Sequence, residues 1–192
     1  MKSFKYIVLA LAALLLLAVT GCTPNGQPAD SSGAASSSSP SSAAPKDGDK
    51  KNDPAAAKEV SVKLYYPNDD ATKLVAVTHK VPADDKYQAA VKALMAGTKE
   101  AGLTGIFPKE AKLKSLTVKN GLATVDFSKE LTRRFVGGST GELMLVGSLV
   151  DTLTEFPEIK KVQITVEGQI VETIAGHMDT SAPFARMEKL IK

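Results

Sequence analysis

Lys112–Phe127 reads KLKSLTVKNGLATVDF, and the pair Asn120-Gly121 at its centre decides how the rest of the chain is read. Asn-Gly is the strongest short hairpin signal, because a type I′ turn needs positive φ at both of its central residues. The runs KLKSLTV and LATVDF flank it. In the second run Ala123, Val125 and Phe127 face one way, while Thr124 and Asp126 face the other. That is the period of a half-buried strand. A hairpin with one apolar face needs other elements to cover that face, so the flanking segments have to supply them.

On the C-terminal side SKELTRRF suggests a short helical turn, broken by Gly137-Gly138. Ser139 and Glu142 have capping-box spacing and would open a helix running through LMLVGSLVDTL. Leu143, Val146, Val150 and Leu153 form its apolar stripe, and Pro157 lies just beyond its end. KKVQITVEGQIVETI then reads as a last strand pair that turns at Gly168. On the N-terminal side VSVKLYY and LVAVTHKV form a first pair, joined by the turn residues PNDDATK. In PADDKYQAAVKALMAG, Asp84 or Asp85 can cap a helix in which Tyr87, Val91, Leu94 and Met95 share a face, and Gly97 can end it. TKEAGLTGIFPKEA, with two glycines and a proline, reads as a loop.

The order is therefore hairpin, helix, hairpin, helix, hairpin. It implies an α+β fold: a mostly antiparallel or mixed sheet with two main helices packed on one face. Residues 58–192 carry this pattern, and their 135 residues can bury a substantial core.

Two different segments precede them. Residues 1–21 have Lys2 and Lys5 at the start and an apolar run of 14 residues from Tyr6 to Val19. As a helix that run reaches only about 21 Å, against a hydrocarbon core of about 30 Å, so it reads as an export signal rather than a membrane span. It ends Val19-Thr20-Gly21-Cys22, which resembles the lipobox of bacterial lipoproteins. The Cys22 thiol would accept the lipid, and stable anchorage needs at least two acyl chains. Cys22 is the chain's one cysteine, so the rest can form no internal disulfide and no thiolate metal cluster. Residues 22–57, rich in Ser, Ala and Pro, hold no Val, Ile, Leu, Met or aromatic residue and cannot form a packed core. The 35 residues after Cys22 read as a flexible tether with a root-mean-square span of about 33 Å. These features place the protein on the extracytoplasmic face of the cell membrane, held there by lipid. Without Lys2 and Lys5 the net charge falls from +3 to +1. No basic stripe stands out, which argues against nucleic-acid binding. The lack of Trp disfavours an aromatic carbohydrate platform.

The stretches VDFSKEL, TLTEFPEIKKVQITVEG and GHMDTSAPF, with their spacings, resemble the GerMN domain, the sporulation and spore-germination domain of Gram-positive bacteria. The resemblance covers nearly all of residues 60–184. It implies a compact domain akin to the ring-building domains of the spore's trans-envelope channel, and a non-enzymatic role among envelope proteins, with no cofactor. The best-known member of the family carries two such domains in tandem, whereas one is read in this chain. Asp151 stands where Asn is expected, and Thr98 where Pro often follows the glycine.

The other chemistry-bearing stretch is IAGHMDTS, Ile174 to Ser181. His177, Asp179 and Ser181 are the residue types of a hydrolase triad, but they share one loop and lack a G-x-S-x-G elbow. Small polar residues there equally bond to local backbone. Three roles stay open for His177 and Asp179: catalysis, contact with a partner or ligand, and local structure, which the pattern favours. A metal site of His177, Asp179 and Glu167 lacks any H-E-x-x-H spacing. His79, in phase with Val75 and Val77, belongs to a sheet edge or the core. Lys160 and Lys161 read as a solvated strand start, and Arg133 and Arg134 as a solvated helix end, with no phosphate loop around them.

Overall fold

A computed structural model describes residues 58–192; Cys22, the expected export signal and the tether lie outside the described residues. Strand β1 (Glu59–Pro67) pairs antiparallel with β2 (Leu74–Pro82) in a separate two-stranded sheet. Helix α1 (Lys86–Met95) follows, then β3 (Leu113–Lys119) and β4 (Leu122–Phe127). A single turn, α2 (Glu130–Arg133), leads to the long helix α3 (Ser139–Leu153), and β5 (Lys161–Val166) comes next. Two short strands, β6 (Gln169–Ile170) and β7 (Phe184–Ala185), both pair with β5. The larger sheet runs β3-β4-β5-β6 and is mixed: β3 and β4 are antiparallel, β4 and β5 parallel. No helix among the described residues is long and apolar enough to cross a membrane.

The β3–β4 turn forms at Asn120 and Gly121, which take φ of +50° and +80°. Gly97 ends α1 at φ +82°. The Tyr66 hydroxyl covers that end, bonding to the carbonyls of Ala93 and Gly97 at 3.3 Å each. Burial pushes this phenol up to about 12.

One core joins the parts. Val62, Leu64 and Tyr66 of β1 meet Val91 and Leu94 of α1, and the same cluster holds Val125 and Phe127 of β4 and Ile164 of β5. Each such side chain stabilises by about 1.5–3 kcal/mol when fully removed from water. Helix α3 packs against β1, α1 and β5 together. It is therefore buried without interruption from Met144 to Leu153, rather than along the stripe of a two-layer helix. Gly147 gives the closest approach: a Cβ there would lie 2.7 Å from Leu190 Cδ1 and 3.0 Å from Leu74 Cδ1.

Two expectations are corrected. Gly138, not Ser139, holds the N-cap position of α3, and no side chain caps it. Glu142 is fully buried and bonds to a distant loop instead. The last hairpin is cut short after Ile170, because that same loop draws the following backbone away from β5.

Candidate functional site

The IAGH stretch is built around the Glu142 carboxylate. Its Oε1 accepts the backbone N–H of Ile174 at 2.8 Å, that of Ala175 at 3.0 Å and the Thr173 hydroxyl at 2.7 Å. Its Oε2 accepts the His177 N–H at 2.9 Å. Burial alone raises this pKa, but the bonds from Ala175, Thr173, His177 and Ile174 outweigh it and hold the carboxyl below its ordinary value. A carboxylate in the first turn of α3 is also favoured by the helix dipole. Thr173 Oγ1 accepts the Gly176 N–H at 2.7 Å, tightening the turn.

The rest of the loop is closed by its small polar residues. Thr180 returns its N–H to the Glu172 carbonyl at 2.8 Å and its hydroxyl to the Val171 carbonyl at 2.7 Å. Gln163 Nε2 donates to the Thr180 carbonyl at 3.1 Å. Asp179 Oδ1 accepts both the N–H and the hydroxyl of Ser181, at 2.9 and 2.5 Å. The Ser181 bonds hold the Asp179 carboxyl below its usual range.

His177, Asp179 and Ser181 thus share the exposed rim of an open recess of about 440 Å³ but do not form a triad. The Ser181 proton points to Asp179, and His177 enters the network through its backbone. Glu167, the third residue of the considered metal site, bonds elsewhere: to Lys114 Nζ at 2.5 Å and to the Lys129 N–H at 2.9 Å. Among the described residues no group of three His, Cys, Asp or Glu is placed to hold a metal ion. His79 is half-buried on β2, its ring 6.4 Å from that of Tyr66. Lys160 and Lys161 both give their backbone N–H to the Gly121 carbonyl, which ties the start of β5 to the β3–β4 turn. Arg133 and Arg134 are exposed at the end of α2.

A second polar centre, unread in the sequence, locks the C-terminal segment. Arg186 Nη2 donates to Glu155 Oε1 at 2.6 Å and to the Tyr65 hydroxyl at 2.8 Å, and that hydroxyl donates to Glu155 at 2.5 Å. Arg186 Nη1 bonds to the Asp151 carbonyl at 3.1 Å. Burial raises the Glu155 pKa, but Tyr65 and Arg186 outweigh it and lower it. Asp151 is fully buried; its Oδ1 accepts the Met187 N–H at 2.7 Å, and its Oδ2 has no partner among the described residues. Burial keeps the Asp151 pKa raised despite Met187 and Arg186. The sequence held one signal for this: a carboxylate between Val150 and Leu153 on a helix otherwise fit for a core.

Fold and loop together define a small α+β domain in which the buried Glu142 carboxylate braces a polar loop from behind. The chain belongs to the family described as Germane, sporulation and spore germination, which it matches over residues 63–172. It is 31% identical over 128 residues to the spore germination protein GerM of Bacillus subtilis (strain 168), an alignment covering 62% of this chain and 34% of that protein. The chain thus spans about a third of that relative's length. The tandem GerMN domains of the sporulation protein GerM from Bacillus subtilis superpose with a TM-score of 0.53 at 25% identity, over 76% of this chain and 50% of that one. The first GerMN domain of the same protein gives 0.54 at 23% identity, over 66% of this chain and 98% of that one.

Proposed function

We propose that the protein is a lipoprotein anchored through Cys22 on the extracytoplasmic face of the cell membrane, with one non-catalytic GerMN-type domain that assembles or scaffolds envelope proteins during sporulation or germination. The observation that carries this reading is the family match over residues 63–172, joined to a relative named for spore germination. The construction of the loop supports a non-catalytic role. Asp179 is committed to Ser181, and Glu142 to four donors, three of the loop backbone and the Thr173 hydroxyl; among the described residues no histidine ring bonds to a serine or threonine hydroxyl, as a triad needs. The anchor rests on the Val19–Cys22 pattern and the tether on composition.

In-cell crosslinking of the anchored chain tests this, with metabolic lipid labelling beside it. The expected result is a defined envelope complex, and a Cys22→Ala chain that takes up no lipid and leaves the membrane. Unchanged labelling of Cys22→Ala overturns the anchor, and recovery of random neighbours alone overturns the scaffold. A second reading, a receptor for germinants or wall fragments, is favoured by the open recess beside His177 and Asp179. Saturable binding of such ligands in calorimetry, lost in His177→Ala, would select it. Peptidoglycan processing by the purified full chain, lost in the same variant, would instead establish a wall-active hydrolase.

A further inference from the structure

We propose that the free edge of β1 at Ser61–Lys63 is a strand-addition site for an extended peptide of another protein, one that alternates apolar and acidic side chains. This deepens the assembly reading and rests on it. The β1–β2 register is unbroken from Glu59↔Pro82 to Pro67↔Leu74. In an antiparallel pair a residue turns both backbone groups toward its partner or both away. Tyr65 gives its N–H to Thr152 Oγ1, on the side away from β2. Lys58, of the opposite parity, accepts the Ala83 N–H on the β2 side. Ser61 and Lys63 share the parity of Tyr65, so their N–H and C=O groups also face away from β2. No described residue bonds to those four groups. At Tyr65 the edge is closed by α3; one turn of the pleat earlier it is open.

The opening is a groove rather than a bare rim. Val60, Val62, Phe156 and Pro157 give it an apolar wall, and its volume is about 380 Å³. A peptide laid along Ser61–Lys63 would satisfy those backbone groups and set alternate side chains against that wall, as strand addition requires. Charge selects the others. Glu155 is held by Arg186 at 2.6 Å, whereas the exposed Lys63 ammonium comes no nearer to it than 3.9 Å. Lys86 also borders the groove but is paired with Glu158 at 2.5 Å. The surplus at the edge is therefore the Lys63 ammonium, and a carboxylate on the peptide suits it. The outer edge of β3 differs in its register shift between Leu113 and Ser115, an irregularity of the kind that keeps edges unpaired.

The test uses the full chain in detergent with three synthetic peptides: an alternating Val/Glu heptamer, its Val/Lys counterpart, and the Val/Glu heptamer N-methylated at alternate positions. Binding is read by fluorescence anisotropy, and amide exchange reports on the edge. The Val/Glu peptide should bind saturably and slow exchange at Ser61 and Lys63. The Val/Lys and N-methylated peptides should bind at least tenfold more weakly. Ser61→Pro removes an N–H the hairpin does not use, as proline is tolerated at a strand edge. It should weaken binding at least tenfold with melting unchanged. Lys63→Glu is a second probe and should shift the preference toward the Val/Lys peptide. No saturable Val/Glu binding, or binding indifferent to both variants, overturns the site. An envelope complex that still forms with Ser61→Pro removes this site while leaving the assembly reading standing.

Discussion

Glu142 and His177 are joined side chain to backbone across 35 positions of sequence, carboxylate oxygen to amide at 2.9 Å. The helix thereby sets the loop, and the His177 ring is presented by a backbone that is not free to rearrange.

Glu142→Gln puts an amide NH₂ where one oxygen now accepts, so at least one loop N–H loses its acceptor. The expected loss is about 1.5–3 kcal/mol, the range for a bond to a charged group, and Glu142→Ala should cost more. Thermal melting gives the size of the effect. Amide exchange should show faster opening confined at first to residues 173–177; no change there would contradict the brace.

The same carboxylate predicts an acid limb. Its folded pKa lies below the ordinary 4.5, so its stabilisation is present above that value and is lost as pH falls through the folded one. Melting temperature against pH should decline below about pH 4.5 in the native chain, and less steeply in Glu142→Gln.

Asp151 has the opposite sign. Its folded pKa is raised above the ordinary 3.8, so its contribution is full below that value and is lost as pH rises through the folded one. Asp151→Asn should therefore raise the melting temperature by a few degrees at pH 7, and the gain should vanish below about pH 3.8. A uniform gain at all pH values would point away from titration.

Gly147→Ala sets two effects against each other. Alanine improves helix propensity by about 1 kcal/mol, while overpacking costs about 1–3 kcal/mol. With Leu190 Cδ1 at 2.7 Å and Leu74 Cδ1 at 3.0 Å from the new methyl, a net loss is expected. Adding Leu190→Ala should recover part of it, and a double-mutant cycle by chemical denaturation measures the coupling.

Breaking the Arg186 centre should be costly as well. Arg186→Leu takes the guanidinium from Glu155, which keeps the Tyr65 hydroxyl as a donor, and leaves that hydroxyl accepting nothing, for an expected loss of about 1.5–3 kcal/mol. Limited proteolysis should then cut the segment after Ala185 first.

What the sequence made legible was local. Asn120-Gly121, Gly97 and the alternation in LATVDF act through their own φ and ψ or their own period, and each appears where expected. The spacing of Glu142 from Ser139 mimics a capping box, while its partners lie more than thirty residues away. The final strand is shorter than its composition suggests for the same reason: VETI reads as strand, but the Ile174 N–H and that of the next residue, Ala175, belong to Glu142. The stripe on α3 hid the fact that β1 covers the helix from a second direction. For the site, Asp179 and Thr180 of IAGHMDTS bond to nearby backbone, as does Thr173 just before it, and the Glu142 brace behind them is visible only in the fold.

The parallel pairing of β4 with β5 has a consequence for the order in which the chain is made. Both helical segments between them, α2 and α3, must emerge before the two central strands can meet. A nascent chain ending before Lys161 therefore leaves β4 without its parallel neighbour, and such non-local pairings are slow to form and exposed while they wait. The two central strands can zip together only after the ribosome has released β5.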